Sequence, residues 1–397
     1  MIQISPETQL FIREHSSDDV RTLALQAKKY PDINMPTAIT QIAGRQVAAE
    51  KIPSWREIEE IWYPKHLSLE QCSSEITARY KARLFQGDSL TDLTGGFGID
   101  CSFLATGFKS ATYVERQEEL CEIAAHNFPI LNLNHINVRN EDGVAYLQTM
   151  SPVDCIFLDP ARRNEHGGKT VAISDCEPNV AELEALLLSK ANRVMIKLSP
   201  MLDLSLALKE LKHTQEIHIL SVNNECKELL ILLRQTSPAE IAIHCVNLLT
   251  KGTQEEQHLV FTREQEQRSQ CTYTDSLGNY LYEPNASLLK AGAFRSIAAA
   301  YPVRKLHPNS HLYTSDSFIE NFPGRIFRIV NQCSFNKKEV KENLADLKKA
   351  NVTVRNFPAT VAELRKRLHL TEGGDTYLFA STLNNCLLYT SDAADDL

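Results

Sequence analysis

Residues 92–100 read Asp-Leu-Thr-Gly-Gly-Phe-Gly-Ile-Asp, and they set Gly95, Gly96 and Gly98 between a strand candidate (89–93) and a helical one (99–106). Residues without a Cβ at such a turn let the backbone adopt positive φ and lie close against a ligand. A glycine cluster alone also suits a plain tight turn. What gives it weight is the recurrence that follows. Glu115 closes a second strand candidate (111–115), Asp142 follows a third (136–139), and Asp159-Pro160-Ala161-Arg162-Arg163 follows a fourth (155–158). Polar residues at the carboxyl ends of successive parallel strands describe one crevice.

The alternation continues with strand candidates at 193–197, 216–222 and 229–233, and helical stretches at 99–106, 117–131, 143–149, 180–189 and 204–211. Strands alternating with helices imply right-handed crossovers and a mostly parallel sheet covered on both faces. Residues 223–228 are too few for a crossover, so the last two strands are expected as an antiparallel hairpin. A dinucleotide-binding sheet has a parallel sixth strand and a third glycine in G-x-G-x-x-G; here Cys101 stands at that third position.

Ahead of this domain, residues 18–29, 38–49 and 69–82 have helical patterning, punctuated by Pro31, Pro36, Pro53 and Pro64. Beyond it, 241–247 and 257–262 read as further strands, 263–271 as a polar connector and 287–299 as a helix. Strands at 325–330, 352–355 and 376–380 with helices at 337–349 and 360–368 form a small α/β module. The expected division is 1–84 helical, 85–262 catalytic, 263–323 ferredoxin-like or irregular, 324–385 module, and 386–397 a tail. That tail resembles a translated sequencing adapter and is set aside as an artefact. On this reading the natural final strand of the module is missing.

Bulk properties exclude some classes. Ten cysteines occur without a C-x-x-C pair, and no His/Cys cluster has zinc-ligand spacing, so reduced thiols and no metal are expected. No apolar run reaches the ~20 residues of a membrane span. With no secretory leader pattern, a cytoplasmic protein without membrane partners is expected. The net charge of −8 disfavours nucleic-acid binding over the whole surface but leaves room for a local basic patch. Nothing in the sequence sets an oligomeric state.

Each crevice residue has a plain alternative. Asp92 could orient the loop, Glu115 could be a helix N-terminal charge, and Asp142 an N-cap. Together they fit one ligand, S-adenosylmethionine (SAM). Gly96 and Gly98 would approach it by backbone, Glu115 would accept ribose hydroxyls, and Asp142 the adenine amine, with no diphosphate to hold. Asp92 would orient its methionine end. Pro160 stiffens the floor and presents Asp159, while Arg162 and Arg163 could hold an anion.

On these residues the chain resembles the class I SAM-dependent methyltransferases over residues 70–235. Asp92–Gly98 corresponds to motif I, Glu115 to motif II, Asp142 to motif III and Asp159–Arg162 to motif IV. More narrowly it resembles a bacterial methyltransferase family with a THUMP-like C-terminal domain. That likeness rests on Leu69-Glu-Gln-Cys-Ser-Ser-Glu75, 92–100, 159–163, Lys197-Leu-Ser-Pro200, Arg355-Asn-Phe-Pro358 and Gly373-Gly-Asp375. The resemblance implies an α/β fold with a Rossmann-like seven-stranded methyltransferase sheet whose last strand is antiparallel. An N-terminal helical region and a small C-terminal α/β module would flank it. Asp159, Pro160 and Arg162 become candidate catalytic residues. Asp92, Thr94, Gly96, Gly98, Glu115, Asp142 and Asp159 become candidate SAM ligands. Arg162, Arg163 and Lys197 become candidate substrate ligands.

Asp-Pro-Ala-Arg departs from the Asp/Asn-Pro-Pro-aromatic pattern of base-amine methylation, because an arginine replaces the stacking ring. Cysteine nucleophiles are poorly placed: Cys155 opens its strand, and Cys176 lies in a later loop. Residues 325–380 hold eleven Lys/Arg against six Asp/Glu, a local charge of +5, which suits a phosphate backbone. RNA is therefore the first expectation for substrate. A protein or small-molecule methyltransferase and a non-catalytic SAM-binding module are the alternatives.

Overall fold

The computed structural model describes residues 4–162, 172–236, 238–252, 254–344, 347–383 and 386–392. Strands β1 (Gly87–Asp92), β2 (Phe108–Glu115), β3 (Ile136–Asn140), β4 (Val153–Leu158) and β5 (Ala191–Leu198) are connected by helices. Four of these are α2 (Ile99–Ala105), α3 (Glu118–Ile130), α4 (Gly143–Thr149) and α5 (Val180–Lys190), with α1 (Glu75–Leu84) ahead of β1 and α6 (Leu204–Glu210) after β5. Pairing is parallel throughout: β1 with β2 and β4, β2 with β3, and β4 with β5. The inner strands are buried on both faces. Leu90, Tyr113, Val114, Ile156, Phe157, Leu158, Val194, Met195 and Ile196 all lie in the core, as a doubly covered parallel sheet requires.

Strands β6 (Thr214–Val222), β7 (Glu225–Arg234), β8 (Ala242–Leu248) and β9 (Glu256–Thr262) complete a nine-stranded sheet of order β3-β2-β1-β4-β5-β7-β6-β8-β9. The β6–β7 connection is only Asn223-Asn224, with φ of 47° and 67°. Two positive-φ residues make the tight turn of an antiparallel hairpin, and asparagine tolerates that region better than most residues. The turn is shorter than the sequence suggests, because the polar residues Glu225, Lys227 and Glu228 pair as strand. β8 runs parallel to β6, and β9 antiparallel to β8. By packing, the chain divides through this hairpin: Met1–Gln215 with Leu230–Pro238, and Glu216–Leu229 with Ala239–Leu397.

In the first unit, the helix expected over 69–82 is broken. His66–Gln71 and α1 flank an extended Cys72-Ser73-Ser74. Neither serine caps α1 through its side chain; the break instead turns the Ser73 hydroxyl onto Asp100, a non-local contact that the continuous apolar period does not register. Behind the break, Trp55, Tyr63, Leu69, Phe97 and Ile99 share one core cluster, so the N-terminal helices pack onto the start of α2.

In the second unit, the expected polar connector contains a helix, Arg263–Arg268, closed by a capping box between Thr262 and Gln265. The expected single helix over 287–299 is two, Ala286–Ala291 and Phe294–Ala300, separated at Gly292 with φ 73°. Strands β10 (Tyr280–Pro284), β11 (Gly324–Ser334), β12 (Asn351–Arg355), β13 (Thr376–Ser381) and β14 (Cys386–Asp392) form a second sheet. Its order is Arg304–Lys305, Tyr313–Ser315, β10, β11, β14, β13, β12. The expectation of a missing strand is corrected here, since β14 pairs antiparallel with both β11 and β13.

Glu283 joins three strands of this sheet. Its carboxylate meets Arg325 at 2.5 Å and Arg355 at 2.7 Å, while its own side chain is only 2% exposed. Removing one partner of a buried pair leaves the remaining charges uncompensated. Glu283→Ala is therefore expected to destabilise the second unit by about 3 kcal/mol, read as a lower urea midpoint for that unit's unfolding. An unchanged midpoint would show that the two arginines are satisfied by solvent.

Candidate active site

The chain leaves β1 at Asp92 and turns through the glycine loop into α2. Gly96 and Gly98 have φ of 54° and 87°, so both need the freedom of glycine. Gly95 is required for a different reason: a Cβ there would lie 2.2 Å from the Tyr113 ring. Tyr113 is fully buried and donates its hydroxyl hydrogen to the Gly96 carbonyl, so the ring has no room to yield. A Cβ at Gly96 would meet nothing nearer than the Thr94 carbonyl at 3.9 Å, which leaves that edge of the loop open to a ligand.

Carboxylates brace this loop. The Gly96 amide donates to Glu115 at 2.9 Å, and the Gln117 amide donates to the other oxygen of Glu115 at 2.9 Å. Asp92 accepts from the Thr94 amide at 3.0 Å, and the Asp159 amide donates to the Thr94 hydroxyl at 2.6 Å. Thr94 thereby ties the end of β1 to the end of β4. The second oxygen of Asp92 is buried with no hydrogen-bond partner. Burial pushes this carboxyl up to about 8, and the negative Asp100, Asp159 and Glu115 nearby reinforce the shift against the Thr94 amide.

Beneath the loop lies an ionic cluster. Lys81 on α1 sits 2.8 Å from Asp100, and Lys197 on β5 sits 2.5 Å from Asp159 and 3.3 Å from Asp100. Ser73, at the break before α1, donates to Asp100 at 2.7 Å and receives hydrogen bonds from Lys81 at 2.7 Å and Lys197 at 3.0 Å. Burial alone would raise Asp100, but the two ammonium groups win and hold it well below the usual carboxylate range. Asp159 goes the other way. Burial outweighs Lys197 and raises its carboxyl, although its side chain keeps 36% exposure toward the crevice.

The structure thus brings Asp92, Thr94, Gly96, Gly98, Glu115, Asp159 and Lys197 together at the strand ends. Asp142 caps α4, accepting from the Val144 and Ala145 amides at 3.0 Å each. Pro160 is buried behind Asp159. The Arg162 backbone pairs with Cys176 in a two-residue ladder, and Arg163 lies outside the described residues. Cys155 is buried within the sheet, and burial pushes its thiol up to about 11, so it offers no thiolate. Sequence reasoning missed Ser73, Lys81 and Asp100 as site residues. Ser73 and Asp100 both lie inside segments singled out for resemblance. Lys81 left no comparable sign, because one lysine on an amphipathic helix reads as solvated.

Comparison with known proteins follows the same lines. A crystal structure of a methyltransferase-family protein from Porphyromonas gingivalis W83 matches with a TM-score of 0.87 at 34% identity, covering 99% of this chain and 100% of that one. The chain belongs to the same family of SAM-dependent methyltransferases with a THUMP-like C-terminal domain. Within the methyltransferase chain, residues 280–323 match a ferredoxin-like domain and 324–389 a THUMP domain-like family. An rRNA methylase from Streptococcus thermophilus matches at 13% identity and TM-score 0.30, over 40% of this chain and 94% of that one. A precorrin-6y C5,15-methyltransferase from Geobacter metallireducens GS-15 matches at 10% and 0.30, over 41% and 87%. At that level neither bears on substrate. No curated protein gives a match.

Two outcomes follow for the methyltransferase loop. Gly95→Ala drives a methyl group into the Tyr113 ring and should cost about 1–3 kcal/mol of overpacking, measured as a lowered unfolding midpoint. An unchanged midpoint would mean that the loop relaxes freely. The second outcome concerns pH. An ordinary aspartate titrates near ~4, whereas Asp92 in the fold holds its proton up to about 8. Its contribution is fully present below the unfolded value and is lost as pH rises through the folded one. The difference in Tm between Asp92→Asn and the parent should therefore grow in the variant's favour from pH 5 to 8, by more than about 3 °C. A difference independent of pH would show that Asp92 is ionised in the folded protein.

Proposed function

We propose that the chain methylates RNA, using SAM as methyl donor. The observation that carries the cofactor is Asp92: a buried carboxyl oxygen with no hydrogen-bond partner, at the end of β1 beside a glycine loop whose Gly96 edge is open, and an ammonium group placed there would favour its ionised form. An ammonium group is the natural partner for such an oxygen, and the methionine end of SAM carries one. Gly96, Gly98 and Thr94 would line that end, with Glu115 toward the ribose and Asp142 toward the adenine. When bound, SAM supplies an electrophilic methyl group on a positively charged sulfur.

The chain's own contribution is positioning and proton handling. Asp159 projects from the rigid end of β4, partly exposed, with Lys197 at 2.5 Å. Its carboxylate can take a hydrogen bond or proton from a target N–H or O–H and so orient the lone pair that reacts. Pro160 fixes the backbone beneath it, and Arg162 would hold a neighbouring phosphate.

RNA is favoured by the C-terminal module. Its THUMP-like match is joined by Lys337, Lys338 and Lys341 on the helix Lys337–Leu344, by Lys348 and Lys349, and by Lys366 and Arg367 on Val361–Leu368, all exposed. Such a set holds a polyanion by counterion release. The test incubates the protein with radiolabelled SAM and separate RNA, protein and metabolite fractions. Label is expected in RNA, falling at least ~100-fold in Asp159→Asn, while SAM affinity by calorimetry stays within about threefold of the parent's. Label confined to protein or metabolites would overturn the RNA reading. No SAM binding by the parent would overturn the cofactor reading.

A further inference from the structure

A second cluster lies on one face of β6, β8 and β9, all within the second unit. His218 on β6 is paired in register with His244 on β8, and Glu216 precedes His218 by two residues, so both project from the same face. His258 on β9 reaches that face too, because Val260 lies opposite His244 and His258 stands two residues from it. The His218 and His244 rings stack at 4.3 Å and 13°. Glu216 Oε2 is 3.4 Å from His218 Nε2, and His244 Nδ1 is 3.2 Å from His258 Nε2. Donor atoms of Glu216, His218 and His244 all fall within 4.8 Å of one another. His218 is 2% exposed, Glu216 and His244 are half-buried, and His258 is exposed, so the cluster opens outward.

Stacked imidazoles on adjacent strands repel once protonated. An ordinary imidazole is mostly unprotonated at neutral pH, so such a ring can offer a nitrogen lone pair to a cation. Two imidazoles and a carboxylate are a donor set for a borderline divalent ion, and imidazole nitrogens favour zinc over magnesium or calcium. Donors around tetrahedral zinc stand about 3.3 Å apart, so an ion would draw the side chains together and turn the two rings out of their stack.

We propose that Glu216, His218 and His244 bind a zinc-class divalent cation, with His258 orienting the His244 ring. This site is independent of the methyl-transfer reading and shares no residue with it. Three protein ligands leave one position for water, and the ion would clip β6 to β8. His258 extends the clip to β9, the end strand of the sheet.

The test uses the untagged full chain, stripped with EDTA and titrated with Zn²⁺ against a chromophoric chelator and with Co²⁺ by visible absorption. One equivalent per chain is expected, with Co²⁺ bands of a four-coordinate nitrogen and oxygen site and a higher Tm on adding Zn²⁺. His244→Ala should weaken Zn²⁺ at least ~100-fold, more than changes outside the ligand shell do. His369→Ala, at an exposed helix end elsewhere, should match the parent. Should His244→Ala fail to fold, Glu216→Gln keeps the shape, removes the charge and carries the same expectation. No binding by the parent at micromolar free Zn²⁺, or equal binding by the ligand variants, would overturn the proposal.

Discussion

Everything in the crevice depends on taking two ammonium groups and two carboxylates out of bulk water together. Lys81, Lys197, Asp100 and Asp159 balance in charge, and Ser73 supplies a hydroxyl that bridges three of them. Any one of these charges buried alone would be strongly unfavourable, so the set forms as a unit or not at all. Its geometry is fixed from five places in the chain: the break before α1, α1 itself, the first turn of α2, the end of β4 and the end of β5. That rigidity holds Asp159 at one position while it stays partly open to the crevice.

The two acids with raised protonation show how differently one sheet end can treat a carboxyl. Asp159 has a cation against it and some exposure, so burial raises it only against opposition. Asp92 has neither, and its second oxygen meets no donor. Lysine thus supports the first acid, while the second keeps one buried oxygen with no hydrogen-bond partner. Separation of roles between neighbouring carboxyls, by environment alone, is a recurrent device in active sites.

Much of this was legible in the sequence, and the limits have physical causes. Alternating periods gave the parallel strands and their helices closely, because a sheet covered on both faces needs nearly continuous apolar runs. The glycine loop and the acids after β1, β2 and β4 were readable because local chemistry requires them there. What escaped was non-local. Ser73 and Lys81 matter only because a helix breaks and turns them onto Asp100. Glu216 and His218 share β6 but His244 comes from β8, so linear ligand spacing gave no sign of the three together. The β6–β7 turn was read too long because charged strand residues resemble loop. The strand at Cys386–Asp392 was set aside for its likeness to a translated sequencing adapter, whereas its backbone pairs on both sides.

The ionic cluster also bears on what counts as a transferable part. Ser73 and Lys81 belong to the segment ahead of β1, yet Lys81 neutralises Asp100 on α2 and Ser73 hydrogen-bonds both Asp100 and Lys197 of β5. The N-terminal helices are therefore not an appendage that recombination could exchange for another. A descendant that lost them would leave Asp100 without Lys81 and Ser73, and Lys197 without the Ser73 hydroxyl. The smallest inheritable catalytic unit must begin well upstream of the glycine loop, and its leading helices and strands are expected to change together over evolutionary time.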